Sequence, residues 1–523
     1  ANSKRSTQAK WLARGAGSRS FRCSINQITF PVLGRANEID GLLLNKIHYT
    51  LFFIYVTLTR LIGLNAEKPK SSVNLRYVAV HLDLKGSPPK ITYLVSLLPI
   101  LDIYGVNAIL IEYEDMFPYL DNIANISSAN AYKRTELLMF INTAKNLNME
   151  IIPLIQTFGH MEYVLKLKEF AHLREQESSP KDICPSNPES RKLITTMLKQ
   201  VIDLHATIYP LRRIHVGCDE VRNLNLLSSI VKELDPSLKV LIWADMLLTP
   251  RPKTYLWNNV EAVSWYYRAQ PQFSHKYFYN LHKNFNKIWI ASAFKGADGN
   301  NATIPDIRRR FQNHLSWMKF IIGYKFGGEK KVYNFEGIIL TGWSRYTHTA
   351  PQCELLPLAM PSLVLNLLLI KTVRNGIDQG DLNLHYCDFF KKYLTKEFNN
   401  IFDNHGNTDE KCAFENTFLN DEHEKLFNHE LQLDCFRNLH ELKLHCHGVK
   451  TYIHLDSTFT QCERVLENLQ NLKNSLEKFM AKYYKNAIIE SYIHDTVQVP
   501  AKEISETIKY LQNCTNLPKK MKH

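Results

Sequence analysis

The chain has 523 residues, 45% of them hydrophobic, which fits a globular protein with room for one large domain and flanking pieces. Its formal net charge of +13 invites a nucleic-acid reading, but no zinc-finger spacing, RNA-binding aromatic signature or phosphate-cradling glycine loop accompanies it. The excess is also local: residues 1–46 hold eight Lys/Arg against Glu38 and Asp40, a net +6, and the remainder is only mildly basic.

After this basic arm, residues 47–66 read IHYTLFFIYVTLTRLIGLNA, an apolar stretch about one membrane crossing long and interrupted by Arg60. Basic residues ahead of it predict a single signal anchor with the rest of the chain in the lumen. Asn65-Ala66 before Glu67 also fits a small-residue cleavage site, and an amphipathic helix packed on the domain is the third option.

From residue 77 the chain alternates short apolar runs with helix-patterned stretches, the signature of repeated βα units. Eight runs are continuous and rich in Val, Ile and Leu: YVAVHLDL (77–84), AILIEYE (108–114), EIIPLIQT (150–157), RIHVGCDE (213–220), VLIWADM (240–246), VEAVSWYY (260–267), IWIASAFK (288–295) and GIILTGWS (337–344). Strands covered on both faces read this way, so residues 76–374 are expected to form a (β/α)8 TIM barrel. Between them, TELLMFINTAKNLNM (135–149) has helical spacing after Thr135, a candidate cap, and Pro88-Pro89 ends the first loop. CELLPLAMPSLVLNLLLIK (353–371) is expected to close the barrel, because Pro357 and Pro361 argue against a membrane span.

In such barrels the C-terminal strand ends build the site. Those ends supply Asp83 and Lys85, then Glu112, Glu114 and Asp115, then Gln156, His160 and Glu162. They continue with Asp219 and Glu220, Trp243 and Asp245, Trp265, Tyr266 and Tyr267, Lys295, and finally Trp343, Arg345 and Tyr346. Indole faces stack on sugar rings while carboxylates and cations bind hydroxyls, so the mixture fits a carbohydrate better than a phosphate, which asks for more glycines and backbone amides. A lone strand-end Trp is ordinarily core and a lone His160 ordinarily structural; three Trp gathered with carboxylates are not.

Here the residues carry a resemblance. HVGCDEV (215–221) resembles the HxGxDE signature of glycoside hydrolase family 20, the β-N-acetylhexosaminidases. HLDLKGSPPK, LIEYEDMFPY, IPLIQTFGHMEYVLK, IWADM, ASAFKGA and ILTGWSRYTH with CELLP are similar, in order, to the hexosaminidase D branch of that family. The resemblance implies exo-acting, retaining hydrolysis of terminal N-acetylgalactosamine or N-acetylglucosamine, with Glu220 as general acid/base and Asp219 orienting the 2-acetamido group. It implies further that Trp243, Trp265 and Trp343 wall the sugar pocket and that Tyr267 or Tyr266 bonds the acetamido carbonyl. Asp83, Lys85, His160 and Tyr346 complete the expected substrate-binding set, with no metal or organic cofactor. Lys85 stands where the lysosomal branch has an arginine, and Arg345 where it has a glutamate, so contacts to the C3 and C4 hydroxyls differ. Adjacent carboxylates cannot easily face each other across a ring; substrate-assisted attack by the acetamido oxygen needs only one acid and one stabiliser. A chitinase would carry more acidic residues alternating on one strand, which RIHVGCDEV lacks. A catalytically inactive sugar-binding barrel is the alternative of another class.

Residues 375–523 turn polar and helical, as in TQCERVLENLQNLKNSLEKFMAKYYKNAIIESYI (460–493), and are expected to form a separate helical appendage. Six of the ten cysteines, Cys387, Cys412, Cys435, Cys446, Cys462 and Cys514, crowd into this region, which points to disulfides whose pairing sequence cannot choose. His440, His445, Cys446 and His447 lack the paired spacing of a zinc site. Sequons at Asn125, Asn301 and Asn513 are glycosylation candidates. Anchor, cysteines and sequons together predict the secretory pathway, with a nucleocytoplasmic location as the alternative. Sequence sets no oligomeric state.

Overall fold

The computed structural model describes residues 75–218, 224–245, 259–300, 302–323, 333–377 and 455–515, apart from residue 272, with residues 73, 380–383, 389 and 392. The basic arm, residues 47–66, Asp219, Glu220, Asn301 and all C-terminal cysteines except Cys462 and Cys514 lie outside them, as do His440, His445 and His447. The side chains of Asn513 and Cys514 also fall outside.

Ten strands are described: β1 (Tyr77–Asp83), β2 (Ala108–Glu112), β3 (Glu150–Leu154), β4 (Arg174–Gln176), β5 (Ser179–Ile183), β6 (Arg213–His215), β7 (Lys239–Trp243), β8 (Val260–Trp265), β9 (Ile288–Lys295) and β10 (Gly337–Gly342). All except β4 and β5 join in one closed parallel barrel, ordered β1-β10-β9-β8-β7-β6-β3-β2. These are the eight runs expected from sequence, and the barrel is a (β/α)8 barrel. β4 and β5 form an antiparallel hairpin in the loop after β3.

The strands are apolar on both faces because each face meets a different core. Tyr77 and Ala79 of β1 and Ala108 and Leu110 of β2 point into the barrel, with Trp289 and Ile339. Their neighbours Val78, Val80, Leu82, Ile109 and Ile111 pack outward against the helices. At the N-terminal end the interior is closed by a charge: Arg213 bonds Glu261 at 2.8 Å, Glu150 at 3.1 Å and Glu336 at 3.4 Å, and lies 4.6 Å above the Tyr77 ring.

Eight helices accompany the barrel: α1 (Ile91–Ile103), α2 (Arg134–Asn146), the single turn α3 (Glu162–Leu165), α4 (Pro188–Ala206), α5 (Leu224–Leu234), α6 (His275–Asn284), α7 (Ile307–Ile321) and α8 (Leu356–Arg374). Thr135 does not cap α2. The helix starts one residue earlier, and the Lys133 N–H donates to the Glu136 carboxylate at 2.7 Å. Among the described residues α8 is the one helix long and apolar enough to cross a membrane, and it is largely buried against the barrel.

Three further helices complete the described chain, α9 (Leu455–Met480), α10 (Asn486–Ile493) and α11 (Val499–Thr515), with a π-helical turn at His494–Gln498 between the last two. Their core is shared with the barrel: Leu355 and Leu358 at the start of α8 pack with Cys462, Val465, Leu469, Tyr484 and Tyr492. Cys462 is disulfide-bonded, whereas Cys184, Cys218 and Cys353 form no disulfide among the described residues.

Candidate active site

The signature strand β6 is short and ends in an unusual turn. Gly217 and Cys218 both have φ near +71, two consecutive left-handed residues that carry the chain out of the barrel wall immediately before Asp219 and Glu220. Glycine is required at 217: a Cβ there would stand 2.0 Å from Gln156 Oε1. Cys218 adopts the same region with a side chain, the kind of backbone strain that gathers at functional sites. His215 fixes the turn, its Nδ1 accepting from the Gly217 N–H at 3.0 Å. Burial pushes the His215 pKa down to about 3, so the ring is neutral and Nε2 carries its proton.

Around this turn the strand ends enclose a cavity of about 440 Å³ lined by Lys85, Gln156, His160, Trp243, Trp265 and Tyr267, with Gly296, Ala297, Trp343, Arg345 and Tyr346 completing it. Three indoles from three strands therefore share one space. Trp243 and Trp343 stand 5.8 Å apart at their centroids, and Trp265 stacks on Tyr267 at 5.1 Å. Trp265 and Tyr346 are exposed, Trp243 is buried, and Trp343 is half-buried. The indole N–H groups of Trp243 and Trp343 and the Gln156 Oε1 find no hydrogen-bond partner among the described residues. Their donors and acceptor are left for a ligand, and a sugar needs both kinds.

Polar residues behind the wall fix its geometry. Gln156 Nε2 donates to Glu112 at 3.0 Å, and His81 reaches the other Glu112 oxygen at 3.1 Å. Burial works against the Glu112 anion, yet the Lys85 cation and the His81 and Gln156 bonds bring its pKa down to about 2. Burial likewise opposes charge on Lys85, and Glu114, Asp83 and Glu112 overcome it, holding the ammonium well above its ordinary pKa. Four carboxylates crowd this region, so burial and the neighbouring Glu112, Asp83 and Asp115 push Glu114 up against the pull of Lys85. Glu114, Asp115 and His348 converge within metal-ligand range, but Lys85 and Lys166, each 3.3 Å from a carboxylate, compete for the same oxygens. That donor set is already charge-compensated by lysines.

Asp83 and Tyr266 do not line this cavity. Asp83 is buried behind it, accepting the Lys85 N–H at 2.9 Å and the Ser344 N–H at 2.7 Å, so it ties the first and last strands together. Tyr266 lines a neighbouring cavity of about 740 Å³ together with Asp245 and Arg310, and Trp265 and Tyr267 border both cavities. Asp245 accepts the Trp265 Nε1–H at 3.4 Å. Lys295 is buried under Trp343, donating to its carbonyl oxygen.

Glu354 is a participant that strand-end reading missed. It accepts the Gly296 N–H at 2.5 Å, and its own φ is +39. Burial raises its pKa to about 7 against the pull of Lys295. The available signal was a carboxylate set between Cys353 and two leucines in an otherwise apolar stretch.

A closed (β/α)8 barrel with aromatic walls, paired carboxylates and cations at its C-terminal mouth defines a carbohydrate-acting barrel. Residues 112–287 match the family described as Glycosyl hydrolase family 20, catalytic domain. The chain is 37% identical over 334 residues to Hexosaminidase D of Homo sapiens, an alignment covering 57% of this chain and 66% of that protein. It is 38% identical over 317 residues to Hexosaminidase D of Bos taurus, covering 54% of this chain and 89% of that protein. A solved β-N-acetylhexosaminidase from Bacteroides fragilis aligns with a TM-score of 0.45 at 13% identity, over 66% of this chain and 75% of that one. The chain belongs to glycosyl hydrolase family 20.

Proposed function

We propose that this protein is a β-N-acetylhexosaminidase that removes terminal N-acetylgalactosamine or N-acetylglucosamine from glycans with retention of configuration. The observation that carries the reading is the convergence of Trp243, Trp265 and Trp343 on the cavity beside the Gly217-Cys218 turn that leads into Asp219 and Glu220. A Cβ at Gly217 would meet Gln156, and the Gly217 carbonyl accepts the Trp243 backbone N–H at 2.9 Å, so the signature strand packs against two cavity residues.

In this reading Glu220 protonates the leaving oxygen while the substrate's acetamido oxygen attacks the anomeric carbon, forming an oxazolinium and releasing the aglycone. Asp219, ionised, orients the acetamido N–H and balances the positive ring. Water then opens the oxazolinium, with Glu220 taking its proton back. Of the two tyrosine candidates, Tyr267 stacks on Trp265 in the cavity, which supports it as the donor to the acetamido carbonyl, and Lys85 and Arg345 supply donors to ring hydroxyls. Hydrolysis of paired aryl N-acetylglucosaminides and N-acetylgalactosaminides tests the activity. Equal hydrolysis of sugars lacking the acetamido group overturns the mechanism, and binding without turnover would leave a sugar-binding barrel.

The secretory pathway and a single membrane anchor belong to the same proposal. They are supported by the apolar stretch 47–66, by the disulfide at Cys462 and by the exposure of Asn125. Expression in animal cells should give a chain whose mass falls on N-glycosidase treatment; a mass unchanged by the glycosidase, with all cysteines reactive before reduction, counts against it.

A further inference from the structure

The turn between α9 and α10 touches three loops of the catalytic face at once. Behind β1, the Lys90 N–H donates to the Tyr483 carbonyl at 2.6 Å, Lys90 Nζ donates to the Ala481 carbonyl at 2.6 Å, and Pro89 pairs with Tyr484 in an isolated β-bridge. Behind β2, Lys485 Nζ donates to the Asn130 carbonyl at 3.3 Å. Behind β10, the first N–H of α8, on Leu356, donates to the Tyr484 hydroxyl at 3.3 Å, and Tyr484 is 1% exposed. A helix start leaves its first N–H groups without intrahelical partners, so Tyr484 supplies what α8 lacks.

Two of those loops carry the cations of the sugar cavity. Lys85 and Ser87 lie between β1 and Lys90; Arg345 lies between β10 and Leu356. They are tied to each other, since Arg345 Nε and Nη2 both donate to Ser87 Oγ, at 3.1 and 2.7 Å. Arg345 Nη1 donates to the Ala350 carbonyl at 2.5 Å, and a guanidinium with five N–H donors has two left over for the cavity it lines.

We propose that the C-terminal helices are a specificity-determining part of the active site, with the Ala481–Lys485 turn holding Lys85 and Arg345 in register for the ring hydroxyls that distinguish galacto from gluco sugars. Tyr484 is the positioning residue of this brace. Lys90 is its second arm, since its backbone N–H and its Nζ grip the Tyr483 and Ala481 carbonyls from the loop that carries Lys85. The proposal rests on the hexosaminidase reading and adds the residues that set its sugar preference.

The test uses the full chain and its variants Tyr484→Ala, Tyr484→Phe and Lys90→Met, with KM and kcat measured on 4-nitrophenyl N-acetylglucosaminide and N-acetylgalactosaminide beside the thermal midpoint. Tyr484→Ala is expected to change the galacto-to-gluco ratio of kcat/KM by about three- to ten-fold, mainly through KM, as misplacing a hydroxyl hydrogen bond does. Tyr484→Phe keeps the ring and loses only the hydroxyl that accepts the Leu356 N–H, so it should shift the ratio in the same direction as Tyr484→Ala with the midpoint nearer the native value. Lys90→Met, which removes the bond to the Ala481 carbonyl, should move the ratio with little change in midpoint, so it reads the brace even if Tyr484→Ala fails to fold. Ratios within two-fold of the native value in Lys90→Met and in every folded Tyr484 variant overturn the proposal and leave the helices a merely structural support. Native protein that hydrolyses neither substrate overturns the hexosaminidase reading instead; the same ratio is then read from the affinities for free N-acetylglucosamine and N-acetylgalactosamine, and binding of neither overturns both.

Discussion

The two ends of the barrel handle buried charge in opposite ways. At the N-terminal end three cations meet three carboxylates: Arg213 pairs with Glu150, Glu261 and Glu336 within 3.4 Å, Lys287 and Arg76 also reach Glu336, and Trp289 Nε1 adds a bond to Glu261 at 2.7 Å. At the C-terminal end the carboxylates outnumber the cations near Lys85, and indole and amide groups stand without protein partners among the described residues. A closed ion network is a structural solution; groups left over around a cavity are prepared for something that arrives. The difference predicts that substitutions at the base change stability and leave chemistry alone, and that substitutions at the mouth do the reverse.

The widest separation is expected at the signature pair. Glu220→Gln should lower kcat on glycosides with poor leaving groups by about 10²–10⁴, with a smaller loss on activated aryl glycosides that need little protonation. Asp219→Asn should slow both kinds together and weaken a thiazoline inhibitor, because it disables the acetamido nucleophile. The thermal midpoints of both variants should stay near the native value, and a large drop in either would erase the contrast.

At the base, Arg213→Met leaves Glu150 and Glu261 buried without their cation while Lys287 and Arg76 still reach Glu336, so denaturant unfolding should show a loss of about 3–5 kcal/mol with an unchanged kcat for the folded fraction. Trp343→Ala brings the test back to the mouth. The indole is half-buried and touches His81 and Trp243 from the cavity side. Losing its stacking should cut kcat/KM about 10- to 100-fold while costing less stability than the ~3–5 kcal/mol of a core tryptophan truncation. Unfolding on that scale would make Trp343 part of the core.

The smallest effect concerns pH. Glu354 has its pKa raised by burial from 4.5 to about 7, so the native state favours its neutral form. Its contribution to stability is fully present below about 4.5 and is lost as pH rises through about 7. Glu354→Gln should therefore flatten the thermal midpoint between those values relative to the native protein. An identical slope in both would show that Glu354 titrates normally.

The barrel was legible because eight doubly covered strands must be apolar without interruption, and nothing else in the chain imitates that pattern at that spacing. Much of the cavity wall was legible for the same reason, since its residues sit at the C-terminal end of a run or within three residues of it. What escaped had no such signature. The hairpin of β4 and β5 is written in LREQESSPKDI, polar between its buried ends Leu173 and Ile183 because it is half-exposed. Tyr266 and Tyr267 look alike in sequence, yet Tyr267 borders both cavities and Tyr266 lines only the larger one. Asp83 shares its strand end with the cavity cation Lys85, yet its carboxylate is consumed by backbone N–H groups. The docking of α9 to α11 was hidden because their apolar spacing says that a face is buried but not against what.

The Arg213 network also bears on how the chain reaches this state. Its three hydrogen-bonded partners lie 48, 63 and 123 residues away in sequence, on strands from both halves of the chain and on the segment that leads into β10. Contacts of that span form only after their loops close, so the network completes when the ring of strands completes and acts as a latch on the finished barrel. A half-barrel fragment would strand either the guanidinium or a carboxylate in its interior. Cutting the chain between β6 and β10 should therefore give fragments that fold only when mixed, with reassembly slow and governed by the meeting of distant strands.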